Sequence, residues 1–215
     1  MTRVLQGFRY RVELPPRPLC CGRPLYDWGM LKTARRLLEQ ILDTLKPWII
    51  AGVPLVGIEP SCITVFRDEL REMLPHREDA KILSKQTFLF SEFMEMQKHE
   101  LPQLHRKALV HGHCHHKSVI HMDAEVSVLK KLGLDFEIID DGCCGMAGAF
   151  GFASDHYGVS IKIGEQILCP AVRSADHDTL IIANGFSCQQ QIEQLTGRKA
   201  IHLAQVVEMA LMQDS

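Results

Sequence analysis

No sign of charge dominates this sequence. Its 215 residues carry 24 Lys and Arg against 26 Asp and Glu, a formal net charge of −2. Without a basic field it has no electrostatic footprint for nucleic acid or an anionic membrane, and no nucleic-acid partner is expected. Long hydrophobic runs are missing too. The longest, over 47–58, is broken by Gly52 and Pro54 and is too short to span a bilayer. No transmembrane segment is expected. The first residues, Met1 to Arg9, lack the apolar run of a secretory signal. These absences point to a cytoplasmic protein, reaching the inner face of a membrane only through partners. There is no phosphate-binding or dinucleotide glycine loop in the required context, no nucleophile elbow, no HExxH and no kinase signature. Aromatic residues are few, at 7%, but 46% hydrophobic and 23% charged residues are ordinary for a globular chain and exclude disorder as the main theme.

Cysteine and histidine are what the sequence has in quantity: 8 and 11. In a reducing compartment cysteines serve as metal ligands or catalytic groups rather than disulfides. Two adjacent pairs are each followed by glycine, Cys20-Cys21-Gly22 and Cys143-Cys144-Gly145. Adjacent cysteines bridge each other only with strain, so neither pair reads as a disulfide.

The two pairs anchor an internal repeat. Before each lies an alternating segment, with Phe8, Tyr10, Val12 and Leu14 on one face in the first and Leu134, Phe136 and Ile138 in the second. Both read as strands. A helix follows the first pair, with Met30, Leu31, Ala34, Leu37, Leu38, Ile41, Leu42 and Leu45 as its stripe and Pro47 as its stop. Strands follow at 54–58 and 179–183, each ending in a cysteine turn, Glu59-Pro60-Ser61-Cys62 and Gly185-Phe186-Ser187-Cys188. Between Cys21 and Cys62 lie 40 residues, and between Cys144 and Cys188 lie 43. Strands alternating with helices imply an α/β fold of two pseudo-repeated βαβ units around parallel sheets. The first unit, with a connector helix over 77–106, occupies 1–106, and the second 107–215.

In such sheets the loops after the strands' carboxyl ends gather at one edge. Cys114 follows the strand 107–110, so Cys114, Cys143, Cys144 and Cys188 should meet in one pocket, and Cys20, Cys21 and Cys62 in another. Four thiolates suit zinc or an iron–sulfur cluster. Ser61 and Ser187 read as helix caps, and a cysteine in the first helical turn has its thiolate favoured by the dipole. Cys62 and Cys188 should both gain from this. Of His111, His113, His115 and His116, one or two should line the site while the rest are solvated or cap a helix. Cys169 falls outside the repeat and reads as a core or surface thiol.

The repeat is uneven. Cys114 lies 29 positions before Cys143, and the same offset before Cys20 falls ahead of Met1. The first unit is therefore N-terminally truncated. It lacks the counterparts of the 107–110 strand, its cysteine loop and most of the next helix. Val4 and Leu5 remain of that helix, matching Val128 and Leu129. The expectation is a C-terminal part of a longer protein, or a chain paired with a subunit or copy that supplies the strand. The first unit should be the less stable, with Phe8, Tyr10 and Val12 less buried than Phe136 and Ile138.

These motifs, together with His111-Gly112-His113-Cys114-His115 and Cys143-Cys144-Gly145-Met146-Ala147-Gly148, resemble the cysteine-rich CCG domain. That domain occurs in the cysteine-rich subunit of heterodisulfide reductase and in the iron–sulfur subunits of glycolate, lactate and glycerol-3-phosphate oxidoreductases. The likeness is greatest to the C-terminal part of bacterial FAD-linked oxidases. It covers nearly the whole chain. It implies oxidoreductase electron transfer, with a [4Fe-4S]-type cluster on Cys114, Cys143, Cys144 and Cys188, and cofactor binding by Cys20, Cys21 and Cys62. The chain would be the iron–sulfur subunit or C-terminal fragment of a flavin-linked 2-hydroxy-acid dehydrogenase, passing electrons from flavin to an acceptor. FAD would sit on a partner domain or subunit, beside a ferredoxin-type domain. The family's fullest pattern ends each unit in Cys-x-x-Cys. Glu59 and Gly185 stand here at the first of those positions. The alternatives are a zinc-stabilised α/β scaffolding module without redox activity, and a thiol–disulfide enzyme.

Overall fold

β-Branched and aliphatic residues in the second half build a parallel three-stranded sheet. β3 (Lys107–His111) is central, between β4 (Asp135–Ile138) and β5 (Leu180–Ala183). Ala108 stands opposite both Phe136 and Leu180. The structure, a computed structural model, describes residues 1–140 and 142–213. Parallel pairing requires crossovers, and helices supply them. α8 (Asp123–Lys131) leads from β3 to β4, and α9 (Tyr157–Gly164) and α10 (Leu168–Ser174) lead on to β5. α11 (Phe186–Thr196) and α12 (Leu203–Gln213) follow, with Ile201 bridging to Ile182 between them.

The first half has a smaller sheet. β1 (Leu55–Gly57) pairs in parallel with β2 (Thr87–Leu89). Around it run α1 (Thr2–Gly7), α2 (Arg23–Asp27), α3 (Leu31–Ile50), α4 (Pro60–Arg67), α5 (Glu69–Met73), α6 (Glu78–Gln86) and α7 (Phe90–Met96). The fold is α/β with parallel sheets, as the strand–helix alternation implies.

Three local expectations fail, each for a physical reason. The segment 8–14 keeps its alternation, with Phe8, Tyr10 and Val12 half-buried and Arg9, Arg11 and Glu13 exposed. It forms no strand, because no neighbour offers it a ladder. Leu14 is exposed. Phe8, Tyr10 and Val12 fall in the same half-buried range as Phe136 and Ile138, so the expected difference in burial is not seen. Pro47 does not stop α3. It lies inside the helix, whose last turn is held by buried Leu45 and Ile49 despite one missing N–H. Met30 and Leu31 are exposed, so the stripe starts at Ala34. The connector over 77–106 is two helices, not one. Thr87-Phe88-Leu89 leaves the helix to pair with β1, whose edge offers backbone partners.

The repeat is visible in backbone hydrogen bonds. α1 ends with Phe8 N donating to Val4 O, Arg9 N to Gln6 O and Tyr10 N to Leu5 O. α8 ends with Leu132 N to Val128 O, Gly133 N to Lys130 O and Leu134 N to Leu129 O. Arg9 and Gly133 share a φ of 65°, the left-handed value that closes such helix ends. Val4 and Leu5 thus stand for Val128 and Leu129. All four are buried in one core cluster with Phe90, Phe93 and Met94 of α7 and Leu203, Val206 and Val207 of α12. α1 packs on α12 and α7 packs on α8, so each half covers a helix of the other. Leu5→Ala and Leu129→Ala are each expected to cost about 2–5 kcal/mol. Urea unfolding checks this; a cost below about 1 kcal/mol for Leu5→Ala alone would show that α1 is not part of the core.

Candidate metal centre

The carboxyl ends of β3, β4 and β5 deliver Cys114, Cys143, Cys144 and Cys188 to one place. Cys114 follows β3 by three residues, the Cys143-Cys144 pair closes the loop after β4, and Cys188 is the third residue of α11. Two glycines make the packing possible. Gly145 has a φ of 97°, and a Cβ there would fall 2.2 Å from the Ser160 carbonyl oxygen. A Cβ at Gly185 would fall 2.3 Å from the His113 ring and 3.0 Å from Cys188 Sγ.

The four thiols form a hydrogen-bonded chain. Cys143 is held far below the usual thiol range, first by the hydrogen bond from Cys114 and then by that from Cys144, against burial. The Gly145 amide also donates to its sulfur, at 3.3 Å. Cys188 is held down to about 5 by the hydrogen bond from Cys144, with burial opposing and the His111 imidazole also donating. Cys114 and Cys144 are pushed up by the thiolates beside them and by burial. Four sulfurs this close cannot all ionise without a cation among them. Metal binding would release the remaining protons. The donor set, soft and closed, fits a thiolate-bound metal group. His111 reaches within 4.8 Å of Cys144 and Cys188 at the ligand atoms, and His113 and His115 stand as close to Cys114.

The first-half cysteines meet only in part. Cys21 Sγ and Cys62 Sγ lie 3.0 Å apart. Cys21 is lowered to about 7, chiefly by the hydrogen bond from Cys62, against burial. Cys62 is pushed up by that bond, by burial and by the charges of Cys21 and Glu59. Cys20 is exposed beside them. Cys188 is thus lowered by its neighbours Cys144 and His111, and Cys62 is raised chiefly by its hydrogen bond to Cys21 and by burial, so sulfur neighbours rather than helix position set the two thiols. Ser61 and Ser187 are not caps. α4 and α11 start two residues earlier than serine caps would set them, with Glu59 and Gly185 in the cap positions.

The histidines are less solvated than expected. His111, His113 and His116 are buried. His113 and His115 stack beside Cys114. His116 turns inward, its Nδ1 3.5 Å from Glu125. Cys169 is fully buried in α10, where burial raises it to about 11.

Two residues emerge that sequence reasoning passes over. Glu59 Oε1 accepts from Ser61 N and Oγ, while Oε2 accepts from Phe186 N at 2.7 Å. It thus ties the starts of α4 and α11, the two cysteine-bearing helices, across the halves. The sequence signal was an acid in the slot where the repeat has Gly185. Arg23 follows the first cysteine pair and is nearly buried, pairing with Glu69 at 2.5 Å and donating to Thr64 Oγ1 at 3.2 Å. It lines a cavity of about 490 Å³ together with Asp27, His115, Cys114, Cys143 and Cys144. Glu59→Ala leaves two helix-start amides without their acceptor. It is expected to lower stability by about 1–3 kcal/mol, measurable by thermal unfolding. An unchanged midpoint would mean water replaces the carboxylate.

Residues 110–193 match the model of the cysteine-rich CCG domain. Over nearly its full length the chain is similar to curated proteins. It is 26% identical to one subunit of the anaerobic glycerol-3-phosphate dehydrogenase of Escherichia coli over 98% of its length, covering 54% of that protein. It is 29% identical to D-2-hydroxyglutarate dehydrogenase of Pseudomonas putida over 92% of its length, covering 19% of that enzyme. With lactate utilization protein A of Bacillus licheniformis it shares 24% identity over 96% of its length and 90% of the relative's. The chain thus spans about half of the first relative and about a fifth of the second. It is similar to subunits and parts of dehydrogenases. None of its helices, among the described residues, is long and apolar enough to cross a membrane.

Proposed function

We propose that this chain is the iron–sulfur electron-transfer part of a flavin-linked dehydrogenase for 2-hydroxy acids or related alcohols. The observation that carries it is the set of four cysteine sulfurs, drawn from three post-strand loops and linked to one another, of which Cys114, Cys143 and Cys144 line a cavity of about 490 Å³ while Cys188 is buried behind them. Cys114, Cys143, Cys144 and Cys188 would hold a [4Fe-4S]-type cluster, which supplies one-electron chemistry when bound. His111, donating to Cys188, would tune the potential through the sulfur. Cys20, Cys21 and Cys62 form an incomplete second set. The relatives' names supply the substrate class, since glycerol 3-phosphate, 2-hydroxyglutarate and lactate each present a hydrogen-bearing carbinol carbon. Removing hydride from such a carbon is flavin chemistry, and FAD is assigned to a partner domain or subunit. A ferredoxin-type domain is assigned to the same assembly.

The test is electron uptake. Chain reconstituted anaerobically with iron and sulfide is titrated with photoreduced free flavin. Its visible absorption is expected to bleach and to return when a dye acceptor is added. Absorption that never responds to reduced flavin would refute the electron-transfer reading.

A further inference from the structure

His113 stands between the second-half cysteines and the first half of the chain. It follows β3, is buried, and lines the same cavity as Cys114, Cys143 and Cys144. Three contacts fix its ring. Nδ1 accepts a hydrogen bond from the His115 amide at 3.1 Å, so Nδ1 carries the lone pair and the ring proton is on Nε2. Nε2 faces Glu59 Oε1 at 3.8 Å. The Cδ2 edge of the ring rests over Gly185. The point where a Cβ at residue 185 would lie is 2.3 Å from that edge and 3.0 Å from Cys188 Sγ. Glycine there is what lets the ring and the sulfur close on one another.

This is the arrangement of a histidine ligand. One nitrogen offers a lone pair, and the other directs its N–H at a carboxylate that holds the ring. The lone pair is on the cysteine side, with Nδ1 3.9 Å from Cys114 Sγ. A nitrogen and a sulfur on one tetrahedral metal, at about 2.0 and 2.3 Å from it, stand roughly 3.5 Å apart, close to that separation. The neighbouring histidines differ. His111 donates to Cys188, so it presents a proton to the sulfurs rather than a lone pair. His115 Nδ1 is 4.0 Å from Cys114 Sγ, but the residue is only half-buried.

We propose that His113 is a ligand, through Nδ1, of the metal group that the second-half cysteines hold, beside Cys114, and that Glu59 holds its ring in place. This rests on the reading of those cysteines as ligands. It adds a nitrogen donor to a set otherwise made of sulfur. It also makes the first half a contributor to the second-half centre, since one carboxylate accepts from the Phe186 amide at the start of α11 and faces the His113 ring. Glu59 is a positioning residue.

The probe is cobalt(II), added without oxygen to the full metal-free chain. It takes thiolate and imidazole ligands and needs no sulfide. An imidazole bound through Nδ1 keeps its Nε2 proton near the unpaired electrons of cobalt. Proton NMR of the unmutated chain is therefore expected to show a strongly shifted N–H signal that disappears in D2O. Cobalt bound with no such signal overturns the proposal and leaves the cysteines as ligands. A chain that binds no cobalt overturns both this proposal and the function proposed above, so the two failures are separate. His113→Ala is expected to lose the signal and to bind cobalt about tenfold more weakly or worse, while His115→Ala keeps both. A signal that persists in His113→Ala overturns the assignment. Glu59→Gln keeps acceptors for Ser61 and Phe186 and is expected to move the signal without abolishing it; an unmoved signal overturns the part given to Glu59.

Discussion

Cys144→Ser is expected to abolish iron binding by this chain, and Cys169→Ser to leave it intact. Cys144 lies at the middle of the sulfur network, in hydrogen-bonding contact with both Cys143 and Cys188, and is nearly inaccessible to solvent. A serine there replaces a soft ligand by a hard, reluctantly ionised one, and a cluster corner is lost. Cys169 is as buried but stands in α10, outside the sulfur network, raised by burial alone in the main. Iron and sulfide assays on the two variants, prepared identically, read the difference. Near-complete loss is expected in the first and less than twofold change in the second. Equal loss in both would show that burial, not ligation, governs the result.

The second large effect concerns Glu125. It sits fully buried on α8, facing His116, and accepts a hydrogen bond from the Asn184 amide. Burial pushes its carboxyl up to about 8, only partly offset by that amide. The folded state therefore keeps a proton that the unfolded chain gives up above about 4.3. Stability is full below that unfolded value, falls as pH rises, and levels off above about 8. Integrated over that window, the loss is on the order of several kcal/mol. Glu125→Gln keeps an acceptor for Asn184 and cannot ionise. The variant is expected to match the parent near pH 5 and to exceed it increasingly up to pH 9 in denaturant unfolding. Parallel pH profiles would mean that Glu125 is ionised in the folded state and paired by a cation.

Periodicity made the parallel strands legible, because residues such as Leu109, Val110, Ile181 and Ile182 are buried on both faces and have little alternative. The cysteine turns were legible because post-strand loops share an edge in any parallel sheet. The match of Val4 and Leu5 to Val128 and Leu129 was legible from spacing alone. The segment 8–14 was misread because alternation reports which face is covered, and says nothing of whether a neighbour supplies hydrogen bonds. Pro47 was misread because tertiary anchors at Leu45 and Ile49 override a local breaker. The roles of Glu59, Arg23 and Asn184 were hidden for a further reason. Each depends on partners far along the chain, such as Phe186, Glu69 and Glu125, and no local pattern encodes that distance.

What the second-half cysteine set holds decides between an electron carrier and a scaffold. The direct measurement is iron, acid-labile sulfide and zinc per chain, with the visible spectrum, on protein purified and kept without oxygen. The prediction is a brown protein with iron and sulfide in equal amounts, about four of each for a filled [4Fe-4S] site, and negligible zinc. A colourless protein carrying one zinc and no sulfide would contradict it, and would make the chain a thiolate-stabilised scaffold rather than a carrier of electrons.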